Sequence, residues 1–229
     1  RLPLDGGYAP AGNPLAWSDR GGVRVVWHVP TTAPVVALTF DDGPLPEWTP
    51  RVLDTLADLG APATFFLVGE RLREHAGLVR DRYDGHEIGN HSWSHADLAR
   101  LDAPAALRQI RACHDEIARR LGRTARLLRP PWGHLGGSTL VAADALGYDV
   151  VLWSQRMREQ EHEARPAGIV DSVVAEARPG AILLAHDVGA RRRLVTVDHL
   201  AAVVAGLRAK GLRLVTVSQL LAAASPPSL

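Results

Sequence analysis

An apolar run, Val35–Phe40, ends in two adjacent carboxylates and a Gly-Pro turn: Thr39-Phe40-Asp41-Asp42-Gly43-Pro44. Successive side chains of an extended segment cannot share one face, so the two acids are expected to do different jobs. Further along stands His91-Ser92-Trp93-Ser94-His95. If that segment is helical, its two imidazoles, four positions apart, stack on one face. One aspartate with two histidines makes a three-ligand metal site with a position left for water. The other aspartate is then free to act as a base.

Four segments carry a resemblance. Thr39–Pro44, Gly85–His95, Arg129-Pro130-Pro131-Trp132-Gly133 and Ile182-Leu183-Leu184-Ala185-His186-Asp187 are similar, in order and spacing, to the motifs of the polysaccharide deacetylases. These are the NodB-homology, or family-4 carbohydrate esterase, domains. The resemblance runs from about Val35 to Leu221. It implies an α/β fold, a distorted (β/α)7 barrel of the NodB-homology type.

The resemblance assigns Asp42, His91 and His95 to the metal, the same three positions that the residue types favour. Such a donor set suits zinc, with cobalt or nickel also compatible. Asp41 is then the base that takes a proton from an acidified water, and Arg129 pairs with it to keep it ionised and aimed. The alternative, both aspartates on the metal, is less economical because three ligands are already present. At Trp132 the resemblance implies a backbone N–H that stabilises the oxyanion, worth about 3 kcal/mol of barrier. Its indole either stacks on a sugar or packs in the core. His186 is the expected general acid, since imidazole titrates near working pH. Leu184 is expected to shape the pocket for the acetyl methyl, with Trp48 as a substrate contact and Trp93 and His134 as weaker groove candidates. Asp187 reads as structural.

One stretch departs from the family pattern. Members commonly follow the strand ending near Trp153 with an acid-containing segment closing in Asp-Trp, where the acid orients the catalytic histidine. Here the chain reads Ser154-Gln155-Arg156-Met157-Arg158-Glu159-Gln160, with Arg156 in a place often acidic. Glu159 is the expected longer substitute, and Glu161 the next choice. The departure concerns His186 and the pocket wall and leaves the metal site untouched.

These groups need a scaffold. Strand-like runs fall at Val35–Phe40, Ala63–Val68, His86–Gly89, Ala125–Leu128, Asp149–Trp153, Ala181–Ala185 and Leu212–Thr216. They are short, apolar and mostly unalternating, as in strands covered on both faces. Helical spacing links Leu53 and Leu56 after Thr49-Pro50. It also links Leu72, Ala76, Val79 and Tyr83; Leu107, Ile110, Ile117 and Leu121 before Gly122; and Val197, Leu200, Val204 and Leu207 before Gly211. Strand–helix alternation means a mostly parallel sheet. The candidate chemical groups fall just past the carboxyl ends of strands, where α/β barrels build active sites. Residues 1–34, with a strand-like stretch at Val23–Val29, read as an N-terminal extension packed on a catalytic domain at 35–224. Residues 225–229 read as a flexible tail or the start of a linker.

Composition narrows the function. The 229 residues carry a net charge of +1 and a hydrophobic fraction of 46%, which suit one large core and point to no nucleic-acid or membrane partner. Arg191-Arg192-Arg193 reads as a solvated run, an anionic polymer being the alternative. Cys113 stands alone, so no intrachain disulfide forms, and its helical neighbours make it a packing residue. The chain starts at Arg1, which fits a removed signal or anchor equally with a trimmed chain. The expected partner is an acetylated oligo- or polysaccharide acted on by a monomer. N-Acetyl groups of chitin oligomers or peptidoglycan come first and O-acetyl groups of xylan second. By the resemblance, the location is extracellular or at the cell surface. The rivals are a glycan-binding domain with weakened catalysis and, last, a two-metal phosphatase.

Overall fold

The structure, a computed structural model, describes residues 22–189 and 191–225, with Arg192 described by its backbone alone. The expected extension at residues 1–21 and the last four residues of the expected tail lie outside the described residues. Ser225 itself is held, its N–H donating to Pro30 C=O at 2.8 Å.

Among the described residues, nine strands form one sheet: β1 (Val25–Val26), β2 (Val35–Asp41), β3 (Thr64–Leu67), β4 (Glu87–Asn90), β5 (Leu127–Leu128), β6 (Asp149–Val151), β7 (Gln155–Arg156), β8 (Ile182–His186) and β9 (Arg213–Val215). Every ladder is parallel, in the order β1-β6-β5-β4-β3-β2-β8-β7, with β9 against the start of β2. The seven expected strands are all present; β3, β5, β6 and β9 are shorter than expected, β2 runs one residue longer, and β4 and β8 are shifted by one residue. The added β7 closes the curl. The chain leaves β6, which pairs with β5, and three residues later pairs with β8 instead. On the other side of the join, His28 bridges Ala181 in antiparallel fashion. The result is the distorted (β/α)7 barrel.

Two layers of apolar packing follow from the period of two along each strand. On β2, Val36, Leu38 and Phe40 face outward to the helices, while Val35 and Ala37 face the barrel interior with Phe66, Leu127, Val151, Ile182 and Val215. Thr39 and Asp41 continue that inner row towards the carboxyl end, so the last two inward positions of the central strand are polar. On β8, Leu184 and His186 stand level with Thr39 and Asp41. This register puts an acid and an imidazole side by side at the barrel mouth.

Helices α1 (Thr49–Asp58), α2 (Gly69–His75), α3 (Ala103–Leu121), α4 (Gly137–Ala145), α5 (Gly168–Glu176), α6 (Leu194–Ala209) and α7 (Val217–Ala222) cover the outside. Asp102 caps α3 by accepting from the Ala105 N–H, and Gly122 ends it in the left-handed conformation. One expectation fails. The Leu72–Tyr83 repeat is not one helix: α2 ends at His75, a 3₁₀ turn covers Ala76–Leu78, and Tyr83 sits in irregular chain beyond it. His75 leaves helical geometry and Gly77 weakens continuation. All four apolar side chains are nonetheless buried.

Candidate metal centre and catalytic cavity

Asp41 is the last residue of β2 and points inward. Asp42 follows with a φ of 79°, a left-handed conformation rare for a residue with a Cβ. Gly43 then passes so close to the Asp187 carboxylate that any Cβ there would collide with it. The turn is thus held from below by a buried acid, and the two aspartates leave the strand in different directions.

The histidines reach the same point by a different route from the helix expected. Residues 91–97 contain no helix; Ser92 and His95 adopt φ of 67° and 57°. A loop with two left-handed residues folds His95 back over His91, the rings 5.1 Å apart and edge-on. Asp42 Oδ1 lies 3.4 Å from His91 Nε2 and 3.0 Å from His95 Nε2. That oxygen is buried and has no hydrogen-bond partner among the described residues. An orphaned carboxylate oxygen between two ring nitrogens is the arrangement a cation completes, and the three donor atoms lie within 4.8 Å of one another. The residues therefore fit a divalent metal.

The surroundings orient these ligands. His91 Nδ1 donates to the Arg129 carbonyl at 2.6 Å, which turns Nε2 towards Asp42. Arg71 donates to the Asp42 carbonyl at 2.6 Å. Burial opposes ionisation of Asp42, but the close approach of the His91 and His95 imidazoles and the charges of His91 and His186 outweigh it and hold the carboxyl far below its usual range. Burial likewise pushes His91 down, and Asp41 and Asp42 more than offset this.

Arg129 and Asp41 meet in the barrel interior. The guanidinium is fully buried and donates to Asp41 Oδ1 and to Thr39 Oγ1, both at 2.7 Å, and to the Val151 and Leu152 carbonyls at 3.1 and 3.0 Å. Its plane lies over Phe66, 4.1 Å from the ring centre. With one oxygen taken by Arg129, Asp41 Oδ2 faces the metal side, 3.7 Å from His91 Nε2.

A cavity of about 360 Å³ opens over this group, lined by both aspartates and by His91, His95, His186 and Leu184. Trp132 and His134 form one wall. Trp132 is 54% exposed with a φ of 57°, so the core-packing alternative fails. Its indole stands edge-on to His95 with centres 4.4 Å apart. Behind the His186 ring, Glu159 Oε1 sits 3.8 Å from His186 Nδ1 and accepts from Thr196 Oγ1 at 3.3 Å. Burial raises the Glu159 carboxyl, and His186 more than reverses this, so it ends below its ordinary value. Glu161 turns instead to Arg158 at 3.9 Å.

Some expectations need correction. Trp48 precedes α1 and packs against the outer core, away from the cavity lining. Trp93 carries Arg73 over its ring and stands outside the lining as well. The basic run is not simply solvated: Arg193 folds inward and donates to Asp42 Oδ2 at 2.9 Å and to Val188 C=O at 3.0 Å. Three lining residues carried no expectation as site groups, Arg193, Arg156 and Trp153. Trp153 announced itself only as the aromatic end of a strand. Arg193 gave no signal, because its route to Asp42 depends on how the segment after β8 turns.

Comparison with known proteins bears on this arrangement. Residues 28–151 match the profile of the family described as polysaccharide deacetylase. The chain is 38% identical over 200 residues to a peptidoglycan-N-acetylglucosamine deacetylase of Bacillus cereus, covering 86% of this chain and 92% of that one. It is 36% identical over 211 residues to a chitin deacetylase of Pestalotiopsis sp., covering 90% and 68%. Among solved structures, a peptidoglycan N-acetylglucosamine deacetylase in complex with a naphthalenyl N-hydroxybenzamide superposes with a TM-score of 0.81 at 30% identity, over 88% of this chain and 94% of that one.

Proposed function

Since the chain belongs to the polysaccharide deacetylase family, we propose that it hydrolyses N-acetyl groups on glycans containing N-acetylglucosamine, such as peptidoglycan or chitin oligomers. The observation that carries this reading is the orphaned Asp42 Oδ1 between two imidazole nitrogens, with a second carboxylate locked beside it by Arg129. Asp42, His91 and His95 would hold one divalent cation, zinc by the chemistry of the donor set. When bound, such an ion acidifies water and polarises an acetyl carbonyl.

The protein's own groups do the remaining work. Asp41 takes the proton from the attacking water on Oδ2, the oxygen Arg129 leaves free. The Trp132 N–H stabilises the negative charge that develops on the carbonyl oxygen. Leu184, at the cavity floor, receives the acetyl methyl. His186 protonates the departing amine, with Glu159 behind its Nδ1 in the part the family gives to an aspartate. A binding-only reading drew on the missing Asp-Trp segment. Glu159 at His186 removes its main support. Peptidoglycan and chitin lie outside the cytoplasm, so the proposed location is extracellular or at the cell surface, and the proposed working unit is a monomer.

The test is acetate release from chito-oligosaccharides, peptidoglycan fragments and acetylxylan, with and without a chelator. Chelator-sensitive acetate from the N-acetylated glycans is expected. Release from xylan alone would transfer the assignment to O-acetyl esters.

A further inference from the structure

Beside the catalytic cavity lies a second one of about 230 Å³, and the two share Arg156, Leu184, His186 and Arg193. The strand register explains the sharing. Arg156 pairs with Leu184 across β7 and β8, and Leu184 and His186 occupy the same face of β8. Arg156 therefore stands in the row that ends at the general acid. Its neighbour Gln155 turns the other way and donates to Val173 C=O at 3.0 Å.

The charges around Arg156 are already engaged with one another. Glu159 faces His186 and Thr196. Glu161 and Glu176 face Arg158 at 3.9 and 3.3 Å. Arg193 faces Asp42. The Arg156 side chain is exposed and, unlike the charged groups around it, has no ion pair or hydrogen bond among the described residues. An unpaired guanidinium at the junction of two cavities is a fork of donors matched to a planar anion.

We infer that Arg156 is the docking point for a carboxylate carried by the glycan next to the sugar being deacetylated. The inference rests on the deacetylase reading above and sharpens it. Chitin is neutral at every residue, whereas a muramic-acid glycan freed of its stem peptides bears a lactyl carboxylate on alternate sugars. The second cavity, reached from the first past Arg156, is where such a neighbour sits. The site thus selects an acidic N-acetylated glycan over a neutral one.

The experiment uses zinc-loaded protein and two forms of a muramic-acid tetrasaccharide, one with free lactyl carboxylates and one with these reduced to alcohols. Dissociation constants are measured by calorimetry in an Asp41→Asn background, with and without Arg156→Gln, and acetate release is measured on the wild type. Arg156→Gln is expected to weaken the carboxylated glycan about tenfold, the size of a lost charge-assisted contact. The reduced glycan should move far less, so the ratio of the two constants is the readout. Equal losses for both glycans, or none for either, would overturn the carboxylate site. Selective binding with no acetate from either glycan would leave the carboxylate site standing and overturn the deacetylase assignment.

Discussion

At the scale of single residues, the division of labour between Asp41 and Asp42 is set by their partners. Arg129 holds Asp41, and His91 and His95 hold Asp42. Asp41→Asn should therefore keep its metal and lose turnover by about 10²–10⁴-fold, the usual worth of a positioned base. Wild-type acetate release from that variant would remove Asp41 from the reaction. His91→Ala should purify without metal, which elemental analysis reads directly. Asp187 offers a stability test. Its carboxyl is fully buried, neither oxygen has a hydrogen-bond partner among the described residues, and burial pushes its pKa from 3.8 up to about 7, with Thr49 opposing and Asp42 adding to the rise. A folded-state pKa above the unfolded one means that the unfolded chain ionises first. Stability should thus fall as pH rises from about 4 to about 7 and level off above. In metal-free protein, Asp187→Asn should match the wild type near pH 4 and melt higher at pH 7.5. Equal melting shifts at both pH values would contradict this. The sequence exposed the donors and acids of the site because their types are rare together. Arg193 and Trp153 were illegible as site residues, since arginine and tryptophan serve many ends and only the fold directs them.

At the scale of elements, the site depends on segments that are not regular. The spacing of His91 and His95 suggested a helix, and the pair does converge, but through left-handed residues in a loop. Sequence spacing is compatible with both solutions. The loop is chosen because its backbone must leave β4, carry His91 to the Arg129 carbonyl and return. A second such case is β7, which a two-residue pairing with β8 creates after the chain has left β6. Its sequence, Gln155-Arg156, has no strand signature, and tertiary pairing decides it. Where local signals are strong, the reading holds: Asp102 and Gly122 bracket α3 at both ends. Asp102→Ala should cost about 1 kcal/mol in urea unfolding through loss of the cap, with metal content unchanged. A loss of metal in that variant would tie α3 to the site more tightly than its contacts imply.

At the scale of the molecule, strand order assembles the chemistry. β2 brings the acids, β4 leads to the histidines, β5 leads to Arg129, and β8 ends in His186, all at one mouth of the barrel. The alternation of apolar runs with helical spacing made this class of fold legible, and the parallel register then aligned Asp41 with His186. Because the ligands come from separated parts of the chain, metal binding should stabilise the whole fold. At a hundred times the dissociation constant, zinc adds about 2.7 kcal/mol, a melting rise of roughly 5–10 °C for a chain of this size. A melting point unmoved by zinc or chelator would mean that the folded chain holds no zinc. The most direct measurement is anomalous diffraction at the zinc edge from crystals grown with zinc. The account predicts one peak, within about 2.0–2.2 Å of Asp42 Oδ1, His91 Nε2 and His95 Nε2. Those three side chains diverging around ordinary solvent, with no anomalous peak between them, would contradict it.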